Sequence, residues 1–311
     1  MKVILCILVI VLGFPLGTLV GGVYRHDTRI EKYLEVARRE EFNCVGQVLR
    51  YHSNDATASD RMTSTLQWVP DGSCILIDSM HILSAAHCFI GEHTKDTVID
   101  FKGNKVSTYI TTGRFLLKPR DVKFFVMNQL VSAKKIVCHP DYLKYNRCDI
   151  AIITLAKPIR GAVTILLNKQ PNEIHDTVTG VGYGVSGPAN EVALVKDYAI
   201  KLAGQNIIDS IGGAEIDGVK STLYADFDSP DNRINCTALG GDSRALELEY
   251  GISGGDSGSP LFRMKNTRLE LVGIASGSAV SMDNFFVNGY YCAMMSWTRI
   301  AALYNWITSN K

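Results

Sequence analysis

The sequence predicts an all-β protein, a sandwich or a pair of barrels, closed by one C-terminal α-helix. Two observations carry this expectation. From about residue 44 onward, short apolar stretches alternate with Gly, Asn, Asp and Pro, as strands bounded by turns do. Near the end of the chain, Ile300, Leu303, Tyr304 and Ile307 recur at intervals of three and four, the spacing of one helical face. No internal repeat is visible.

Composition bounds the rest. The 311 residues carry 32 Lys and Arg against 31 Asp and Glu, a formal charge of +1, with 46% hydrophobic and 20% charged residues. There is no global basic field, so composition gives no support to nucleic acid as a partner. Low-complexity runs and charge excess are both missing, which excludes disorder for most of the chain. The length suits one large domain or two small ones around a substantial core. Eight cysteines are too few for a disulfide scaffold, so any bridges are staples on a hydrophobic fold.

Taken in order, Lys2 precedes an apolar run from Val3 to Leu12, followed by Gly13, Pro15, Gly17 and Leu19-Val20-Gly21-Gly22. A basic start, an apolar middle and a small-residue exit predict a secretory signal peptide over residues 1–22, cut after Gly22, with a cut after Gly17 as the alternative. An uncleaved anchor is the competing reading, because Val3–Val23 approaches the length of a membrane span. Either reading places the remainder outside the cytosol, where disulfides persist. Residues 23–43 are charged, with Ile30, Tyr33, Leu34 and Ala37 at helical spacing. They read as an exposed N-terminal helix or as a pro-segment ahead of a domain spanning 44–311. Strands are expected at Cys74–Asp78, Val122–Met127, Ile150–Leu155 and Leu271–Ala275, and the helix follows Arg299.

Three segments carry candidate chemistry. Leu83-Ser-Ala-Ala-His87-Cys88 sets an imidazole among small residues, although a lone histidine is commonly structural. Asp149 opens the apolar run Ile150–Leu155; a carboxylate drawn toward a core needs hydrogen-bonding partners to stay ionised, or it simply caps the strand end. Gly254-Gly255-Asp256-Ser257-Gly258-Ser259-Pro260 sets a serine where glycines let the backbone aim N–H groups at a ligand, or it is only a turn before the next strand.

Together, and in the order His, Asp, Ser, these segments resemble the trypsin/chymotrypsin-like serine proteases. The resemblance runs from about residue 70 to 311. It includes Val181-Gly-Tyr183-Gly184, where the family usually has Gly-Trp-Gly, and His139-Pro-Asp-Tyr142 ahead of the Asp. It also includes Val272-Gly-Ile-Ala-Ser276 as a cleft strand, and Thr298-Arg299 with Tyr304-Asn-Trp-Ile307 as the closing strand and helix. The resemblance implies two six-stranded antiparallel β-barrels of the chymotrypsin type with a C-terminal α-helix. It implies a secreted endopeptidase acting on protein or peptide substrates, without metal or organic cofactor. By that carry-over Ser257 is the nucleophile, His87 its general base, and Asp149 the residue that holds the imidazole. The N–H groups of Gly255 and Ser257 form the oxyanion hole. His87 and Asp149 lie 62 positions apart, and Asp149 and Ser257 108, so extra loops should flank the cleft, one of them within 203–250.

Departures from the pattern refine these expectations. In the family the residue at Asp256 pairs with a new N-terminal ammonium, but no Ile-Val-Gly-Gly string follows a basic residue here. Cutting after Arg39 would expose Glu40, a poor plug for a buried ion pair. An activating protease and an inhibitor are partners the resemblance suggests. Gly251 stands where trypsins carry the aspartate that reads Arg and Lys, so trypsin-like cleavage is disfavoured. Ser276 and Ser278 line the expected pocket, Met295 partly fills its back wall, and apolar side chains of small or medium size are the expected preference. The resemblance pairs Cys74 with Cys88. Cys138–Cys148 and Cys236–Cys292 are open possibilities that leave Cys44 over. One glycosylation sequon, Asn235-Cys236-Thr237, is present. A non-catalytic homologue that binds or regulates partners is the alternative function, and a general esterase a third.

Overall fold

The structure is a computed structural model describing residues 22–51, 68–101, 104–191, 200–231, 233–236, 239–241, 243–280 and 288–311. The leader expected over 1–22 therefore lies outside the described residues except for Gly22.

The chain opens with a short strand, β1 (Val23–Tyr24), and a helix, α1 (Ile30–Ala37). Strands β2 (Val45–Tyr51), β3 (Trp68–Leu76) and β4 (His81–Ser84) follow. A long hairpin comes next, β5 (Ile90–Phe101) and β6 (Asn104–Leu116), then β7 (Val122–Val126), β8 (Gln129–Cys138), a short helix α2 (Pro140–Tyr145), and β9 (Ala151–Leu155). Six of these strands close a barrel in the order β2-β3-β4-β9-β8-β7. Alternation dictates its inside. Val122, Phe124 and Val126 of β7 are buried while Phe125 between them is exposed, the period-two pattern of a one-sided strand. Along β8 a register shift between Ala133 and Lys135 leaves Lys134 and Lys135 both outside and returns Ile136 to the core, as a bulge does.

The second half holds β10 (Leu166–Leu167), β11 (Thr177–Gly182), β12 (Gly187–Pro188), β13 (Leu202–Ile207), β14 (Ser210–Ile216) and β15 (Val219–Asp226). Strands β16 (Tyr250–Gly251), β17 (Pro260–Lys265), β18 (Arg268–Ala279) and β19 (Met294–Arg299) follow, and α3 (Ile300–Ser309) closes the chain. The expected second six-stranded barrel is here an eight-stranded sheet, β13-β11-β17-β18-β19-β15-β14, with β10 added parallel to β18. Its two end strands, β13 and β14, are consecutive in the chain. Only Ile208 and Asp209 separate them, so a chain corner rather than a ladder joins the sheet's ends. The architecture is the chymotrypsin type, all-β with a terminal helix.

The predicted strands and terminal helix are present within a few residues; Ile300, Leu303 and Ile307 form the buried face of α3. Two elements differ from expectation. The N-terminal helix is not an exposed appendage: Tyr33 and Ala37 of α1 are buried, and the Tyr33 hydroxyl donates to the Glu249 carbonyl at 3.0 Å. The extra length between His87 and Asp149 is the β5–β6 hairpin, which forms a two-stranded sheet of its own. Glu92, His93, Lys95 and Asp96 interrupt its first strand, which leaves no apolar run to read. Between Asp226 and Tyr250 the described residues form no strand, in keeping with the loop expected within 203–250.

A buried ion pair fixes the start of α3. Arg299 donates its guanidinium to Glu173, and their side chains are 3% and 0% exposed. Removing one partner of such a pair strands a charge, which costs about 3–5 kcal/mol. Glu173→Ala should therefore lower the free energy of unfolding by about that amount in a denaturant titration. A loss below about 1 kcal/mol, the scale of a surface pair, would contradict the burial.

Candidate active site

His87 lies in a single 3-10 turn, Ala86–Phe89, directly after β4. Asp149 stands just before β9, which pairs with β4, so the two residues meet at one end of the first barrel. The Asp149 carboxylate takes three bonds there. One oxygen, Oδ1, accepts the backbone N–H of His87 at 2.9 Å. The other, Oδ2, lies 2.6 Å from His87 Nδ1 and accepts the Ser276 hydroxyl at 2.7 Å. Its backbone carbonyl accepts Thr298 Oγ1 at 3.0 Å. Asp149 is only 8% exposed, so these donors replace the water that keeps a carboxylate ionised.

Burial pushes the His87 pKa down, but the adjacent Cys88 sulfur and the Asp149 carboxylate oppose it, and the balance stands well above the ordinary histidine value. The Nδ1–Asp149 bond fixes the tautomer, which directs Nε2 outward as the proton-accepting nitrogen.

Ser257 is carried on the turn between β16 and β17, and the first barrel holds that turn. Ser73 of β3 donates its N–H to the Ser257 carbonyl at 2.8 Å and its hydroxyl to the Gly255 carbonyl at 2.9 Å. Gly258, at φ +86°, leaves no room for a side chain: a Cβ there would stand 2.0 Å from Ser84 Oγ and 2.8 Å from Ala85 N. That contact sets the serine turn against the segment bearing His87. With both carbonyls turned onto Ser73, the N–H groups of Gly255 and Ser257 donate to no acceptor among the described residues, and Gly255 holds φ +87°. Ser257 is half-buried and its Oγ is not hydrogen-bonded to His87 among the described residues. Such contacts are often long before substrate arrives.

Asp256 turns inward and is 0% exposed. Its Oδ2 accepts the N–H of Gly22 at 2.7 Å and of Ser253 at 3.2 Å, and its Oδ1 accepts that of Gly184 at 3.0 Å. Burial still pushes its pKa up to about 6, against the lowering by those three N–H bonds. Gly22 enters this position because β1 is paired on both sides, Val23 with Gly187 and with Gly251. The sequence alone offered no partner for Asp256. The signal was the Gly-Val step at residues 22–23, hidden because it follows directly on the apolar N-terminal run.

The residues expected to line the specificity pocket separate. Gly251 is buried on β16, and a Cβ there would stand 3.0 Å from the Phe227 ring. Met295 is fully buried, and its sulfur accepts the Ile252 N–H at 3.2 Å. Ser276, expected against substrate, spends its hydroxyl on Asp149 instead. Ser278 is exposed and, with Tyr224, Leu239, Met294 and Met295, lines a hollow of about 410 Å³. The bridge expected between Cys74 and Cys88 is not formed. Both are buried thiols, and Cys88 Sγ is turned toward the Ser257 carbonyl at 3.7 Å. Cys138 and Cys148 are also free, as is Cys44, while Cys236 is bonded to Cys292. The Cys236 of the sequon is thus bridged while Asn235 remains exposed. Ser73 and Thr298 are the site residues that sequence reasoning missed, since a hydroxyl inside a strand carries no local signal.

Comparison with known proteins agrees with this geometry. The family described as Trypsin matches residues 46–297. The chain belongs to the trypsin family. It is also 27% identical over 257 residues to the urokinase-type plasminogen activator of Gallus gallus, covering 79% of this chain and 51% of that protein. The chain thus spans about half the length of that relative. Membership makes this a serine peptidase fold with protein substrates as the family's partners.

An NMR titration checks the electrostatics. The His87 ring should titrate above the free-histidine value of about 6.5, and Asp149→Asn, which removes the charge and acceptor beside it, should bring the midpoint down. Because the folded value is raised, this contact stabilises the fold below the unfolded value and loses its contribution as pH rises through the folded one. A His87 midpoint at or below that of free histidine would contradict the arrangement.

Proposed function

We propose that the chain is a secreted serine endopeptidase that hydrolyses peptide bonds through His87, Asp149 and Ser257. The observation that supports it most directly is Asp149 accepting both the backbone and the ring of His87, beside a serine turn whose carbonyls are bonded away from the cleft. His87 Nε2 takes the Ser257 proton as Oγ attacks the scissile carbonyl. Asp149 stabilises the imidazolium that forms, and the N–H groups of Gly255 and Ser257 bind the oxyanion. The imidazolium then protonates the leaving amine, and water repeats the sequence in reverse on the acyl-enzyme. Because the base must be neutral, turnover falls as pH drops through the raised His87 pKa.

The Gly22–Asp256 contact supports a particular mature terminus. A cut between Gly21 and Gly22, one residue before the position expected from sequence, would turn the amide N–H now 2.7 Å from Asp256 into an ammonium. That supplies the counter-charge a fully buried carboxylate lacks. On this reading leader removal itself creates the Asp256 ion pair, and residues 23–43 are part of the working domain rather than a pro-segment. Gly251 beside the Phe227 ring, with no carboxylate at 251, and the buried Met295 support cleavage after apolar residues of small or medium size.

Labelling with a fluorophosphonate probe, with mass spectrometry of the N-terminus, tests the reading. The secreted chain should begin at Gly22 and label without further proteolysis, and Ser257→Ala should abolish labelling and lower peptide turnover by about 10⁶. In a peptide library, sites after Arg or Lys should be cut roughly 100-fold more slowly than sites after apolar residues. Absence of labelling in a chain that begins at Gly22 would replace the peptidase with a binding module. A terminus elsewhere on a labelled chain would overturn only the activation step.

A further inference from the structure

The segment 139–148 joins β8 to β9 and ends on the residue before Asp149. Its ends are tied together: the His139 N–H donates to the Ile150 carbonyl at 3.0 Å, and the Ile150 N–H to the Cys148 carbonyl at 2.8 Å. Inside the loop, Arg147 N–H reaches the Asp141 carbonyl at 3.2 Å. This double fold brings three donors of different chemistry to one place. A ring nitrogen of His139, a carboxylate oxygen of Asp141 and the Cys148 sulfur all lie within 4.8 Å of one another. None of the three side chains contributes to the triad.

Several features prepare these groups as ligands. His139 and Cys148 are each 6% exposed, so a bound ion would be shielded from water on that side. Cys148 holds φ +55°, a conformation that non-glycine residues adopt at a cost and that clusters at functional positions. The His139 ring is fixed by Trp306 of α3, with centroids 4.9 Å apart at 61°. Its Nδ1 accepts the Asp141 backbone N–H at 3.2 Å, so that nitrogen is unprotonated and its lone pair is held by that one N–H. A metal there would replace one long hydrogen bond. Burial raises the Cys148 thiol pKa, and the Ser221 hydroxyl on the same sulfur and the nearby Arg147 oppose that rise. On the outer side Arg114 holds the loop through Asn146 Oδ1 at 2.6 Å.

We propose that His139, Asp141 and Cys148 form a zinc site that locks the loop leading into Asp149. One nitrogen, one sulfur and one oxygen suit zinc, whereas calcium and magnesium favour all-oxygen sets. Zinc bonds of about 2.0–2.3 Å set tetrahedral ligands about 3.5 Å apart. The trio therefore closes by about 1 Å on binding, with water as fourth ligand. The Cys148 thiol releases its proton to solvent as the S–Zn bond forms, and the zinc stays divalent. Occupied, the site would also keep Cys148 from pairing with Cys138. The proposal concerns binding and stands apart from the peptidase reading.

The test is zinc chloride titrated into the metal-stripped full chain against a chromophoric chelator, with circular dichroism to check folding. One zinc should bind per chain in the micromolar range or tighter. Cys148→Ser and the partly exposed Asp141→Asn should each weaken it about tenfold or more, in line with loss of a ligand. Cys138→Ser should bind as the parent does, and Asp141→Asn decides the matter if Cys148→Ser does not fold. Absence of stoichiometric zinc, an affinity indifferent to Asp141→Asn, or a Cys138–Cys148 disulfide in unreduced peptide maps would overturn the proposal.

Discussion

Asp149 is the joint on which the site depends. It belongs to the first barrel, where it opens β9 and binds the backbone and ring of His87. Its two other partners, Ser276 on β18 and Thr298 on β19, belong to the second sheet. One buried residue thus couples the two halves through four hydrogen bonds. Each satisfies a group whose burial would otherwise oppose folding. The same bonds that satisfy the buried Asp149 carboxylate also set the tautomer of His87. Stability and chemistry draw on one set of contacts.

A second set of contacts aligns the serine. The Ser257 turn is built in the second half of the chain, yet Ser73 and Ser84 of the first barrel decide where it sits. Glycine at 258 is required because Ser84 Oγ occupies the volume a Cβ would need. With two carbonyls turned onto Ser73, the N–H groups of Gly255 and Ser257 have no acceptor among the described residues. Preorganised donors of this kind act where charge develops, without reorganising during the reaction.

Asp256 shows the opposite balance. It is as buried as any described residue but meets only neutral donors among them, three backbone N–H groups and the Tyr250 side chain, and its pKa is pushed up to about 6. Gly22 supplies one of those donors from the far end of the sequence. Its approach depends on β1 finding partners in both β12 and β16. The N-terminal segment is therefore joined to the second half by strand pairing, by α1 packing and by the Tyr33 hydroxyl.

What the sequence determined by itself was local. Strand alternation, the three-and-four spacing of α3, and the triad segments are all written in consecutive residues, because period and turn chemistry act over a few positions. His87, Asp149 and Ser257 stand out as candidates because each sits in a distinctive short segment. Tertiary structure decided what depends on distant neighbours. Ser73 and Thr298 are ordinary strand residues until the halves meet, and Ser276 turns to Asp149 rather than to the cleft. The β5–β6 hairpin is interrupted by charges and becomes a strand pair only through its own ladder. Cysteine partners followed proximity, which spacing does not encode: Cys236 found Cys292, while Cys74 and Cys88 remained thiols. Gly22 looked like the end of a leader because its meaning lies 234 residues away, in a buried carboxylate.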